Sequence, residues 1–219
     1  MPLTVDIWSD VVCPWCYLGK RRFEAALERF EHRDDVTVTW HSFELDPEAP
    51  QSNDEPAAER LARKYGMTVE DAEAKHAQMT EMGAAEGVEF RYDLSRSGNT
   101  FNAHRLIHLA RERDLQDAVK ERLLRAYFTE GEPIGDPDRL VALVAEAGLD
   151  ADEARAVIEG EAYTAAVRED EQIARQIGIH GVPFFVIGRR FGVSGAQPAE
   201  VLLGALEQAW DETARSAAA

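Results

Sequence analysis

The chain has only two cysteines in 219 residues, and they stand three apart as Cys13-Pro14-Trp15-Cys16. Ahead of them, Leu3, Val5 and Ile7 alternate with polar or smaller residues up to Trp8, the period of a half-buried strand. Behind them, Phe23, Ala26, Leu27 and Phe30 recur at the spacing of one helix face. That helix is predicted to end near His32, with Asp34-Asp35 making the turn. Val36, Val38 and Trp40 then alternate as a second strand, parallel to the first, so the chain opens β-α-β. A helix start leaves N–H groups unpaired and carries partial positive charge, and both favour a thiolate. Cys13 is therefore assigned as nucleophile, with a pKa modestly below that of a free thiol. Pro14 costs little at the first helical position. Cys16, one turn on, returns to the same side as the resolving thiol, and Cys13 is predicted to be the more exposed of the two.

Half of a zinc site is the main rival for a C-x-x-C pair, and it needs two further ligands. His104 and His108 stand one helical turn apart, with Glu112 extending the stripe, but about 90 residues away from the pair. The strand-turn-helix setting favours redox chemistry, so the reading assigns no metal and takes both histidines as partly exposed helix residues.

The middle of the chain, 52–160, has a different texture. Ser52-x-x-Glu55 resembles a capping box with Pro56 in the first turn. Gly66 fits a helix end, Thr68 a new N-cap and Gly87 the next end. Val88–Tyr92 reads as short and extended, Asn99 or Thr100 as a cap, Asp136-Pro137 as an N-cap and first-turn pair, and Gly148 as a stop. No strand of ordinary length is predicted there. A helix over about 161–177, closed by Gly178, leads to an apolar strand over 181–188. Arg190–Ser194 is its hairpin partner, and a last helix opens at Pro198, with a frayed tail from Ser216. The prediction is an α/β protein with a discontinuous domain of residues 1–51 and 161–219, interrupted by an α-helical insertion of residues 52–160.

Proline opening an apolar strand is unusual, because it removes a ladder N–H. Pro183, after Gly181-Val182, fits the second half of a thioredoxin-type domain. The formal net charge is −17, and each of the three segments is net acidic. That argues against nucleic acid as a partner, since phosphate binding needs a basic face, and against an anionic membrane surface. No signal-like start and no run of 18 apolar residues is present, so a cytoplasmic protein is expected.

Asp10-Val11-Val12-Cys13-Pro14-Trp15-Cys16-Tyr17-Leu18-Gly19 resembles the opening of the DsbA-like thioredoxin superfamily, and more narrowly its FrnE-like branch of dithiol-disulfide isomerases. Phe43–Pro47, Asn99–His104, Gly181–Pro183 and Gly192–Gln197 are similar to the same branch, so the likeness spans nearly the whole length. The resemblance implies a thioredoxin fold interrupted by a helical domain, with Pro183 cis beside Cys13 and Cys16. It also implies that substrate pairs with the backbone at Val182. Relatives of the kappa-class transferase and 2-hydroxychromene-2-carboxylate isomerase type generally carry serine where Cys13 stands and lack the second cysteine. This chain keeps both.

The activity expected is thiol-disulfide exchange by way of a mixed disulfide at Cys13, on a disulfide-containing protein or a small thiol. No cofactor beyond the dithiol is expected, with glutathione as an optional co-substrate. Trp15 supplies no cation to hold a thiolate, which leans the reading toward a reductase or isomerase rather than a strong oxidant. The alternatives are a glutathione-dependent isomerase or transferase of a small aromatic molecule, and a binding module with a vestigial dithiol. The oligomeric state, monomer or homodimer, is open. His180, ahead of Pro183, is a candidate substrate contact, and Trp15 a candidate substrate platform. His41 is placed beyond the second strand as a polar strand-end residue. Tyr17 and Phe43 read as core, Asn102 as a third-position capping partner, and Arg189-Arg190 as solvated charge.

Overall fold

The structure is a computed structural model that describes residues 2–217. The chain forms two compact units, one of residues 1–43 and 169–219 and one of residues 44–168.

The first unit is built on a four-stranded sheet of order β2-β1-β3-β4. Strand β1 (Leu3–Ser9) is central, parallel to β2 (Val36–Ser42) and antiparallel to β3 (Phe184–Ile187), which turns back into β4 (Phe191–Ser194). The buried alternation Leu3, Val5, Ile7 continues into Trp8 and Ser9, as fits a strand covered on both faces. Helix α1 (Pro14–Arg29) stops short of His32, because Phe30 is already extended and its N–H closes back on Leu27. A single 3₁₀ turn, Arg33–Asp35, then feeds β2. Phe23 of α1 meets Phe185 of β3 with ring centroids 5.7 Å apart. The last helix of the chain (α9 below, Ala199–Ala217) packs against α1 and the sheet, and its Trp210 stacks on His32 and meets Phe30 edge-on. The tail expected to fray is thus helical to Ala217, and its last two residues lie outside the described ones. On the other face, Trp8 packs with Ala174, Ile179 and the partly buried Phe43, Ile173 and Val182.

The second unit is helical: α2 (Ala57–Tyr65), α3 (Val69–Ala85), α4 (Phe101–Arg111), α5 (Gln116–Arg125), α6 (Pro137–Glu146) and α7 (Ala151–Glu159). Helix α5 runs on as a π-helical turn, Ala126–Glu130, ending at Gly131. The chain leaves this unit inside α8 (Thr164–Gln176), four residues after that helix begins. The capping box at Thr68 and Asp71 is fully formed, and the Asp136 side chain caps α6 ahead of Pro137. At Ser52 the box does not form: Pro56 takes the N-cap of α2, and Asn53 instead accepts the Glu55 N–H at 2.8 Å. Val88–Tyr92 forms no strand, and the one isolated bridge in this unit joins Asn53 to Ser97. Asn99 accepts the Phe101 N–H and donates to the carbonyls of Pro47 and Ala49, so residues 44–51 are bound into the helical unit. That places the first boundary at 43/44, where the sequence reading has 51/52.

Candidate active site

Cys13 is the N-cap of α1, with extended φ and ψ of −96° and 113°, and Pro14 follows in the first turn. The Cys13 carbonyl accepts from the N–H groups of Cys16 and Tyr17 at 3.0 and 3.3 Å, which turns Cys16 back toward its partner. The two sulfurs are not joined by a disulfide. Cys13 keeps 3% of its surface exposed and Cys16 none. The Cys13 Sγ–H donates to the Val182 carbonyl at 3.5 Å, and the Val182–Pro183 peptide is cis. Cys13, Cys16, Val182 and Pro183 are therefore brought together, although 169 residues separate the sulfur from its acceptor.

A shallow cleft of about 400 Å³ lies beside them, lined by Trp15, Gly181, Val182, Pro183, Ser194, Gly195 and Ala196. Trp15 is 43% exposed and forms one wall. Ser194, at the end of β4, also lines the cleft, and the Gly195 N–H that follows donates to the Pro183 carbonyl at 2.8 Å. No side chain lining the cleft is ionisable. His180 is exposed and lies outside that lining.

The Cys13 thiol does not follow the sequence expectation. Its pKa is raised well above the usual value. The side-chain hydrogen bond with Cys16 is the main cause, followed by burial and the Cys16 charge; the Cys16 backbone N–H pulls the other way, and the Asp10 charge adds the smallest push upward. Asp10 is fully buried three residues before Cys13, its carboxylate accepting the Val11 N–H at 2.7 Å. The helix start is too weak to offset a second sulfur and a buried carboxylate in a dry setting.

Other sequence candidates fall elsewhere. His41 lies within β2, not beyond it. Its Nδ1 meets Asp170 Oδ1 at 2.6 Å, its Nε2 meets Asp6 Oδ1 at 2.9 Å, and its ring stacks on Trp8 at 4.5 Å. Burial opposes its charge, but the hydrogen bonds and charges of Asp170 and Asp6 outweigh it and push the pKa up to about 9. Tyr17 is buried, and Phe43 belongs to the Trp8 cluster. Asn102 is not a capping partner; its Oδ1 accepts from Arg105 at 3.0 Å. His104 and His108 are buried rather than partly exposed, and Glu112 accepts from the Tyr163 hydroxyl at 2.7 Å. Among the described residues, no three His, Cys, Asp or Glu side chains are grouped to hold a metal ion. Arg189 and Arg190 are exposed at the β3–β4 turn, Arg190 pairing with Glu212.

Residues 4–207 match the DsbA-like thioredoxin domain. The chain belongs to the DsbA-like thioredoxin family. It is similar to the protein YwbO of Bacillus subtilis (strain 168), at 31% identity over 190 residues, 86% of this chain and 88% of that protein. Its fold is similar to that of a probable DsbA oxidoreductase from Streptomyces coelicolor, with TM-score 0.92 and 48% identity over 96% of this chain and 91% of that one. It also matches the cytosolic disulfide reductase DsbM from Pseudomonas aeruginosa, solved with GSH, at TM-score 0.64 and 19% identity, covering 99% and 100% of the two chains. The DsbA-like fold is thus a thioredoxin-type sheet unit with a helical unit inserted in the chain, as described above. Among the described residues no helix is long and apolar enough to cross a membrane.

Proposed function

We propose that this DsbA-like protein is a thiol-disulfide oxidoreductase working in the reducing or isomerising direction, with Cys13 as nucleophile, Cys16 as resolving thiol and Pro183 shaping the site. The observation that carries the reading is the Cys13 sulfur at the start of α1, 3.5 Å from the Val182 carbonyl, with Cys16 one turn behind it. The Cys13 thiolate attacks one sulfur of a substrate disulfide. That S–S bond breaks, the released thiolate takes up a proton, and a mixed disulfide remains on Cys13. Cys16, deprotonated, then attacks the Cys13 sulfur and frees the second substrate thiol. Two electrons pass from the dithiol to the substrate, and two equivalents of an external thiol, leaving as their disulfide, restore Cys13 and Cys16.

Direction follows from the thiol chemistry. A strongly oxidising dithiol is one whose reduced form is stabilised as a thiolate. Here Cys16, burial and Asp10 all oppose the Cys13 thiolate, which leaves the reduced pair a ready electron donor. The apolar cleft fits an extended peptide carrying the disulfide, and glutathione is a candidate for the external thiol. A cytosolic setting belongs to the same proposal. Retention of both cysteines sets this reading above that of a glutathione-dependent isomerase.

Insulin reduction driven by dithiothreitol tests it. The wild type is expected to accelerate the reaction, Cys13→Ser to abolish the acceleration, and Cys16→Ser to accumulate a mixed disulfide on Cys13 visible by intact mass. Acceleration that survives Cys13→Ser would overturn the reading.

A further inference from the structure

Helix α1 contains a glycine, Gly19, in its buried interior. Glycine inside a helix is less favourable than alanine, so an interior glycine needs a packing reason. Here the reason is contact. A Cβ placed on Gly19 would stand 2.8 Å from Cγ and 3.4 Å from Cβ of Pro183, and 3.6 Å from Cζ of Phe185. Cβ atoms do not approach carbon at 2.8 Å, and Pro183 is a ring fixed in the backbone, not the end of a flexible chain. Cys16, Gly19 and Phe23 follow one another at helical spacing and are all buried. The face of α1 that carries the resolving cysteine is thus the face that rests on Pro183.

We infer that Gly19 is a positioning residue for the dithiol: its missing side chain lets α1 seat directly on Pro183, and this seating holds the Cys13 sulfur against the Val182 carbonyl. The inference rests on the proposed dithiol reading for its functional meaning, and on geometry alone for the contact. A methyl group at position 19 separates α1 from the Pro183 loop. The separation opens the Cys13–Val182 contact and displaces the sulfur relative to the neighbouring cleft in which a substrate chain would lie. Misplacement of a reacting group by about 1 Å costs on the order of a hundredfold in rate.

Gly204 supplies the control. It lies in α9, and a Cβ there meets nothing within 4 Å. Both substitutions to alanine raise helix propensity equally, so only contact with Pro183 distinguishes them. The experiment measures Cys13 alkylation by iodoacetamide across pH, with insulin reduction alongside, in wild type, Gly19→Ala, Gly204→Ala, Pro183→Ala and the double variant Gly19→Ala/Pro183→Ala. Gly19→Ala is expected to move the alkylation profile to lower pH and to slow insulin reduction tenfold or more. Gly204→Ala is expected to leave both unchanged and to melt no lower than wild type. In the Pro183→Ala background the clashing Cγ is gone, and Gly19→Ala is expected to add no further shift. Should Gly19→Ala alone fail to fold, the double variant is expected to fold. The inference is overturned if Gly19→Ala matches Gly204→Ala, if its shift is the same in both backgrounds, or if the double variant also fails to fold. A wild type that does not reduce insulin removes the proposed function, whereas the alkylation profiles still decide the role of Gly19.

Discussion

His41 and Asp170 meet at 2.6 Å although 129 residues separate them, so that one imidazole joins β2 to α8 while its other nitrogen reaches Asp6 on β1. Asp170 completes the joint by accepting the Ser42 N–H at 2.8 Å, and its carbonyl accepts the Trp8 indole N–H at 3.0 Å. Two carboxylates around one imidazole favour the imidazolium over the neutral ring despite its burial.

The pH dependence of stability follows from this joint. The folded pKa of His41, about 9, lies above the ordinary 6.5, so the stabilisation is fully present below about pH 6.5 and is lost as pH rises through about 9. A shift of this size corresponds to roughly 3 kcal/mol. Urea unfolding at pH 6 and pH 10 is expected to show a loss of that order in the wild type and a much smaller one in His41→Gln. Equal losses in the two proteins would show that His41 is not held as the cation.

The Cys13 thiol gives a second pH signature. Cys16→Ser removes the largest cause of its raised pKa, and Asp10→Asn removes a smaller one while keeping an acceptor for the Val11 N–H. Both variants are expected to alkylate at lower pH than the wild type, with Cys16→Ser showing the larger shift. The check is the rate of iodoacetamide reaction at Cys13 followed by mass. A profile that stays put in Cys16→Ser, or moves upward, would mean that the neighbouring thiol does not set the titration.

Much of this arrangement could be read along the chain wherever the signal was local. The alternation in β1 and β2, the N-cap at Thr68, Asp136-Pro137, and the positive-φ glycines 66, 87 and 178 each act within a few residues, and each lies in the element its spacing predicts. Ser52 misled because a capping pattern is only permissive: Pro56 occupies the N-cap and Asn53 makes the turn instead. Partners distant in the chain were hidden for the opposite reason. Asp6 and Asp170 approach His41 only once the sheet has formed, and Gly19 shows its purpose only when Pro183 is placed against it. Cys13 itself was visible at a helix start, but the burial and second sulfur that reverse its titration are properties of the packed site.

Arg105 carries a stability prediction for the helical unit. It is 3% exposed, and its guanidinium donates to the carbonyls of Val157, Gly160 at 2.6 Å, Ala162 at 2.8 Å and Ile158 at 3.5 Å, closing the end of α7. Val157 and Ile158 lie in the last turn of α7, whose carbonyls a helix end leaves without intrahelical donors, and Gly160 and Ala162 follow it in the chain. Arg105→Ala is expected to lower stability by about 2–4 kcal/mol, since several charge-assisted bonds and the acceptors they satisfy are lost together. Arg105→Lys is expected to recover only a minor part, because one ammonium cannot span the same fork of acceptors. Chemical denaturation of the three proteins checks both statements, and full recovery by lysine would show that charge alone suffices.

Trp15 separates substrate grip from chemistry. Its ring is 43% exposed, walls the cleft beside Val182 and Pro183, and sits between the two cysteines without covering a core. An exposed side chain of this kind contributes little to folding, so Trp15→Ala is expected to change stability by no more than about 0.5 kcal/mol. A peptide lying in the cleft loses its aromatic wall, a change worth about 1–2 kcal/mol at a binding surface. That corresponds to a rise in KM for insulin of roughly 5- to 30-fold at 1.4 kcal/mol per factor of ten. A small disulfide such as bis(2-hydroxyethyl) disulfide reaches the sulfur without spanning the cleft, so its reduction is expected to be nearly unchanged. Steady-state kinetics on the two substrates decides the point, because a fall of equal size on both would place Trp15 in the thiol chemistry itself and not in holding the chain that carries the disulfide.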